Sequence, residues 1–165
     1  MRTLGIDPGT AILGWGVVEA AAGQLALVAV GTLTTPAGMA QPERLRLLYD
    51  GLRELIARYR PDSAAIEELF FGKNVNTALS VGQARGVALL ALAQAGLPVA
   101  EYKPVAVKQA VAGYGGADKK QMQEMVRLTL GLAAPPRPDD AADALAVAIC
   151  HAYTSPTLQR LITEG

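Results

Sequence analysis

The chain is poor in the features that fix many functional classes at a glance. Among its 165 residues there is one cysteine, Cys150, which excludes an intrachain disulfide and any all-cysteine metal site and fits a reducing compartment. No apolar run, the longest lying around Gly86 to Ala93, approaches the roughly 20 residues needed to cross a bilayer. The opening "MRTLGIDPGT" has no signal-peptide core before Asp7 and Pro8 interrupt it, so a cytoplasmic location is expected. There is no internal repeat and no low-complexity linker; one domain over 1–154 with a short C-terminal tail, 155–165, is expected. Neither "GYGGA" nor the glycines at 14 and 16 complete a Gly-x-x-x-x-Gly-Lys-Ser/Thr phosphate loop. A hydrophobic share of 51% nevertheless marks a globular chain with a sizeable core.

Net charge is also missing, at zero, but its distribution is uneven. Residues 70–138 hold eight lysines and arginines against three acids, a net +5, while 1–69 and 139–165 carry −2 and −3. Such a basic middle stretch permits a polyanionic partner; ordinary solvated lysines would give the same count.

What is present reads as an α/β layer. Residues 2–7, about 14–20 and "LALVAVGTL" suit three strands in succession. An amphipathic helix follows from about Pro42 to Tyr59, with Leu45, Leu48, Leu52, Leu55, Ile56 and Tyr59 on one face. "SAAIEEL" is a buried strand ending in acids. A second helix runs from about Asn76 to Ala95, "LPVAEYK" is a fifth strand, and three helical stretches follow, the last being "DDAADALAVAICHAY". This order predicts a ribonuclease H-like fold, a five-stranded mixed sheet flanked by helices, with the first and fourth strands as neighbours.

In that arrangement Asp7 and Glu67 end adjacent strands, and Asp140 and Asp143 share one face of a helix. Four carboxylates suit hard divalent ions such as Mg²⁺ or Mn²⁺, and two such ions can flank a phosphodiester, one activating water and the other stabilising the leaving oxygen. Each acid also has a local reading. Asp7 before Pro8-Gly9 is good turn chemistry, Glu67 and Glu68 fit a solvated strand end, and Asp139 or Asp140 fits a helix cap. His151, two turns beyond Asp143, is expected as a favourable cation at the helix C-terminus, Cys150 as a packed thiol, and Gly82 with Gly86 as a close-packing surface in the core or at a dimer contact.

Taken together, "GIDPGT…GWGVV", "AIEELFFGKN", "ALSVGQARGVAL", "VKQAVAGYGGADKKQMQEMV" and "DDAADALAVAICH" resemble the RuvC family of Holliday-junction resolvases, in order and spacing, over nearly the whole chain. The resemblance implies a ribonuclease H-like homodimer that makes paired, symmetric, metal-dependent nicks in four-way DNA junctions, leaving 5′-phosphate and 3′-hydroxyl ends. It implies one or two Mg²⁺ per subunit, with Mn²⁺ able to substitute, held by Asp7, Glu67, Asp140 and Asp143. The family's lysines fall on Lys108 and Lys119, and its DNA-contacting aromatic on Phe70. Lys73, Asn74 and Lys120 join them as candidate DNA contacts. Work alongside the RuvA and RuvB branch-migration proteins is implied as well. An actin-like ATPase shares an Asp-x-Gly-Thr turn but needs a second domain of similar size. A non-catalytic junction binder would not need four acids, and an RNA nuclease on the same fold would be distinguished by contacts to the 2′-hydroxyl.

Overall fold

The computed structural model describes residues 1–68 and 74–163. Three strands, β1 (Arg2–Asp7), β2 (Ile12–Ala21) and β3 (Gln24–Thr34), lead into helix α1 (Gln41–Tyr59). Then come β4 (Ser63–Glu67), α2 (Val75–Gln94), β5 (Val99–Tyr102), α3 (Pro104–Ala112), α4 (Lys119–Thr129), α5 (Asp139–Thr154) and α6 (Pro156–Thr163). The strands form one sheet in the order β3-β2-β1-β4-β5. β1 is antiparallel to β2 and parallel to β4, and β4 is parallel to β5. The expected mixed sheet and the expected adjacency of first and fourth strands are both observed. Residues 156–163, assigned to the tail in the sequence reading, form α6, whose Leu161 carbonyl accepts from Gly23 N–H at 2.9 Å.

Strand periodicity divides the core in two. Leu4, Ile6, Leu13, Trp15, Val17, Ala64 and Ile66 pack with Leu48 and Leu52 of α1 and Ala84, Ala88 and Leu92 of α2. The alternate positions face the other way, so Ala65 and Val18 join α3, α4 and the buried α5 residues Leu145, Ala148 and Ile149. Parity therefore gives each sheet face its own residues and its own helices.

Helix ends follow the local chemistry. Pro at the first turn starts α1 and α3, and Gly113 in the left-handed region closes α3. Asp118 caps α4 in a reciprocal pair with Gln121. Among the described residues no helix is long and apolar enough to cross a membrane.

Candidate active site

The acids converge because of strand parity and one close helix packing. On β1, Leu4 and Ile6 point to the α1/α2 side, which turns Gly5 and Asp7 toward α5. On β4, Ile66 likewise points away and Glu67 turns to the α5 side. The parallel register pairs Ile6 with Ile66, so the next residue of each strand, Asp7 and Glu67, continues side by side at the sheet's end.

Helix α5 supplies the other two acids by lying almost directly on the backbone of β1 and β2. A Cβ on Gly5 would collide with the Ala144 carbonyl, and one on Gly14 with the Asp140 carbonyl. Gly14 is the cross-strand partner of Asp7, so Asp140 rests on the residue beside Asp7. The facing side of α5 is correspondingly small: Ala141, Ala142, Ala144 and Ala148 are buried. Gly14 and Gly16 complete no phosphate loop; with Gly5 they form a trough for a helix some 130 positions downstream, a role to which the alternating Gly-x-Gly in β2 is the sequence signal.

The electrostatics record this crowding. Burial and then the neighbouring charges of Asp143, Asp140 and Glu67 push the Asp7 carboxyl up to about 7. Glu67 is raised by burial and then by Asp143, with Lys108 opposing. Asp143 is raised by burial, against the pull of Lys119. Four oxygen-donor side chains that repel one another suit a hard divalent cation, which would take one or two carboxylates and keep waters of its own. Among the described residues no three His, Cys, Asp or Glu side chains are drawn in tightly enough to enclose an ion. An uncompensated cluster of like charges is expected to stand apart in this way.

Two of the expected cations reach the site. A cleft of about 250 Å³ has Glu67 and Asp143 on its wall together with Lys108 and Lys119. Lys119 Nζ lies 3.0 Å from Asp139, which also accepts a 2.9 Å hydrogen bond from Gln123 Nε2. Asp139 therefore orients Lys119, while Asp140 and Asp143 face Asp7; the bond to Asp139 is the main cause that raises the Lys119 pKa. The helix cap reading of Asp139 and Asp140 is not met: Pro138 occupies that position with no side-chain cap.

Other expected contacts are not gathered at the acids. Lys120 faces a separate cleft of about 760 Å³ with Tyr114 and Arg137. Asn74 caps α2, its Oδ1 accepting from the N–H groups of Asn76 and Thr77 at 3.1 and 3.3 Å. Phe70 and Lys73 lie outside the described residues.

The turn after Asp7 is tied down by hydroxyls. Buried Thr10 donates to the Ser80 carbonyl of α2 at 3.0 Å and is also bonded to the Ser80 hydroxyl; Thr35 donates to the Thr10 carbonyl at 2.7 Å. His151 differs from its expected cationic role. It is half-buried with Nδ1 2.7 Å from the Tyr102 hydroxyl, and burial lowers its pKa, favouring the neutral ring. Cys150 is fully buried, as expected, and burial raises its thiol to about 11. Gly86 of α2 is exposed, so it does not serve core packing.

A family model described as "Crossover junction endodeoxyribonuclease RuvC" matches residues 3–151. The chain is 81% identical over 160 residues to the protein of that description from Chloroflexus aggregans, covering 97% of this chain and 98% of the relative. It is 72% identical over 164 residues to the one from Roseiflexus sp., covering 99% and 97%. Among solved structures, Thermus thermophilus RuvC in complex with Holliday junction substrate superposes with a TM-score of 0.90 at 40% identity, covering 95% of this chain and 96% of that one. The yeast mitochondrial Holliday junction resolvase Ydc2, at 13% identity and a TM-score of 0.65, shares the fold. The chain thus belongs to the RuvC family of crossover junction endodeoxyribonucleases.

Proposed function

We propose that this protein resolves four-way (Holliday) DNA junctions in recombination and repair by paired, symmetric nicks that leave 5′-phosphate and 3′-hydroxyl ends. The observation that carries the reading is the meeting of four acids from two strands and one helix, with Asp7 raised to about 7 by burial and by the other three. Family membership and the likeness to a RuvC described in complex with a Holliday junction supply the substrate class.

Asp7, Glu67, Asp140 and Asp143 would hold one or two Mg²⁺ or Mn²⁺ per subunit. When bound, the metal supplies Lewis-acid activation of water and neutralises charge on the phosphodiester. The remaining work falls to the chain. Asp7 must lose its proton to act as a ligand, so metal binding competes with protons near neutral pH. Lys119, held by Asp139, and Lys108 border the cleft and present positive charge to a phosphate beside Glu67 and Asp143. Buried Thr10 fixes the turn that carries the chain away from Asp7, keeping the approach to the acids open. Phe70, Lys73, Asn74 and Lys120 are proposed as further DNA contacts.

Paired cutting calls for two sites related by a two-fold axis, hence a homodimer. Exposed Val75, Leu79 and Leu90 on α2, together with exposed Gly86, supply an apolar surface for it. We place this dimer in the cytoplasm, working with RuvA and RuvB, each subunit a single nuclease domain. The test is a synthetic four-way junction with Mg²⁺. Conversion to two nicked duplexes by the wild type, and none by folded, junction-binding Asp7→Asn, is expected. Wild-type cleavage by that variant would refute the site.

A further inference from the structure

A second groove borders the acids at Asp140, apart from the cleft that holds Lys108 and Lys119. It has a volume of about 500 Å³ and is lined by Thr10, Arg44, Asn76, Thr77, Ser80 and Asp140, among others. The side facing Glu67 and Asp143 has its lysines; among the described residues that line this side, the cation is Arg44 of α1.

Arg44 differs from the chain's paired arginines. Arg2, Arg46, Arg85 and Arg127 each lie within 4.0 Å of a carboxylate. Arg44 has no such partner among the described residues. One guanidinium nitrogen, Nη2, donates to the Pro36 carbonyl at 2.9 Å and anchors the group. Its Nε is buried with no hydrogen-bond partner. That nitrogen is shielded from the groove, so the donors left for a groove ligand are the N–H groups at the exposed end of the guanidinium. A guanidinium with free donors, fixed against a groove lined by hydroxyl and amide groups, is suited to a phosphate oxygen pair.

We propose that this groove seats a second backbone phosphate of the cleaved DNA strand, with Arg44 as its principal donor and Asn76, Thr77 and Ser80 at its walls. Building on the nuclease reading above, the strand would cross the acids with Lys108 and Lys119 holding it on one side and Arg44 on the other. Arg44 is thus a positioning residue for the scissile bond, acting through the strand rather than on the reacting atoms.

The test is equilibrium binding of a synthetic four-way junction in EDTA between 50 and 200 mM salt, with wild type, Arg44→Gln and Arg53→Gln. Arg53 is exposed on the same helix and outside the groove, stacked over Tyr49. Arg44→Gln should weaken binding about tenfold and make the slope of log affinity against log salt shallower by roughly 0.7 to 0.9. Arg53→Gln should change neither, and Arg44→Lys should restore the slope while recovering only part of the affinity. Should Arg44→Gln fail to fold, exposed Asn76→Asp, which sets a carboxylate opposite Arg44, must weaken binding comparably. An unchanged slope and affinity in folded Arg44→Gln, or equal effects of Arg44→Gln and Arg53→Gln, overturns the proposal. Mg²⁺-dependent cleavage by wild type and its loss in Asp7→Asn, measured on the same junction, report the nuclease reading separately.

Discussion

The two faces of the sheet are built from different materials. On the α1/α2 face, Leu4, Ile6, Leu13 and Ile66 meet Leu48, Leu52 and Leu92, large side chains that hold the helices at a side chain's distance. On the α5 face, Gly5 and Gly14 meet the Ala144 and Asp140 carbonyls, backbone against backbone, and Gly16 makes room for the Leu145 side chain. The first face is packed with large apolar side chains and carries none of the four acids. The second gives up bulk and gains closeness, which sets Asp140 and Asp143 beside Asp7. The four acids thus depend on the packing of the α5 face rather than on the bulk of the other.

The largest expected effect comes from filling the trough. Gly14→Ala places a methyl against the Asp140 carbonyl, a backbone atom that cannot rotate away. It should cost about 3 kcal/mol or more and abolish cleavage per folded molecule, because α5 must lift. Leu52→Ala on the opposite face should cost about 2–5 kcal/mol, yet leave the cleavage rate of the folded fraction near wild type. Denaturant titration and single-turnover kinetics on both variants check the contrast; equal rates in the two would erase it.

Next is the stability carried by Asp7. Its native pKa of about 7 lies above the ordinary 3.8, so the native state keeps a proton that the unfolded chain releases. Stability of the metal-free protein must therefore fall as pH rises from about 4 to 7. Asp7→Asn removes that penalty. The variant should be more stable than wild type at pH 8 without metal, by roughly 1–3 kcal/mol after solvent screening, and indistinguishable at pH 4. Thermal or urea unfolding at the two pH values gives the answer, and a wild type that gains stability across the window would oppose it.

A smaller effect is expected at Lys119. The Lys119–Asp139 pair is largely exposed, so Lys119→Ala should shift unfolding by no more than about 0.5 kcal/mol. Its cleavage rate should nonetheless fall by roughly 10- to 100-fold. Asp139→Asn, which frees the lysine without removing it, should lose less, on the order of fivefold. Equal losses in the two variants would mean that Asp139 does more than orient its partner.

Much of this was legible in the sequence because it depends on local pattern. The Leu45–Tyr59 periodicity gave α1, the acids ending β1 and β4 followed from strand limits, and the three-residue step from Asp140 to Asp143 placed both on one helix face. Other features depend on contacts between distant residues. A Gly-x-Gly strand reads the same whether it bends, cradles a phosphate or receives a helix, and only α5 packing distinguishes these. Asp139 beside Asp140 looked like a doubling of one role until the fold brought Lys119 and Gln123 to it. His151 sits in the last turn of α5 as expected, but Tyr102, from a strand 49 residues earlier, makes its surroundings those of a neutral ring. Arg44 gave no signal at all, since an arginine among four on a helix declares nothing about which one borders a groove beside Asp140.

The central claim is that the trough of small residues forces the acids into one another's fields. The most direct measurement is a carbon-detected NMR titration of the Asp7 carboxyl in the metal-free protein. A midpoint at about 7 that falls in Asp143→Asn, the neighbouring charge that raises it most, is expected. A midpoint near 3.8, unmoved by that substitution, would contradict it.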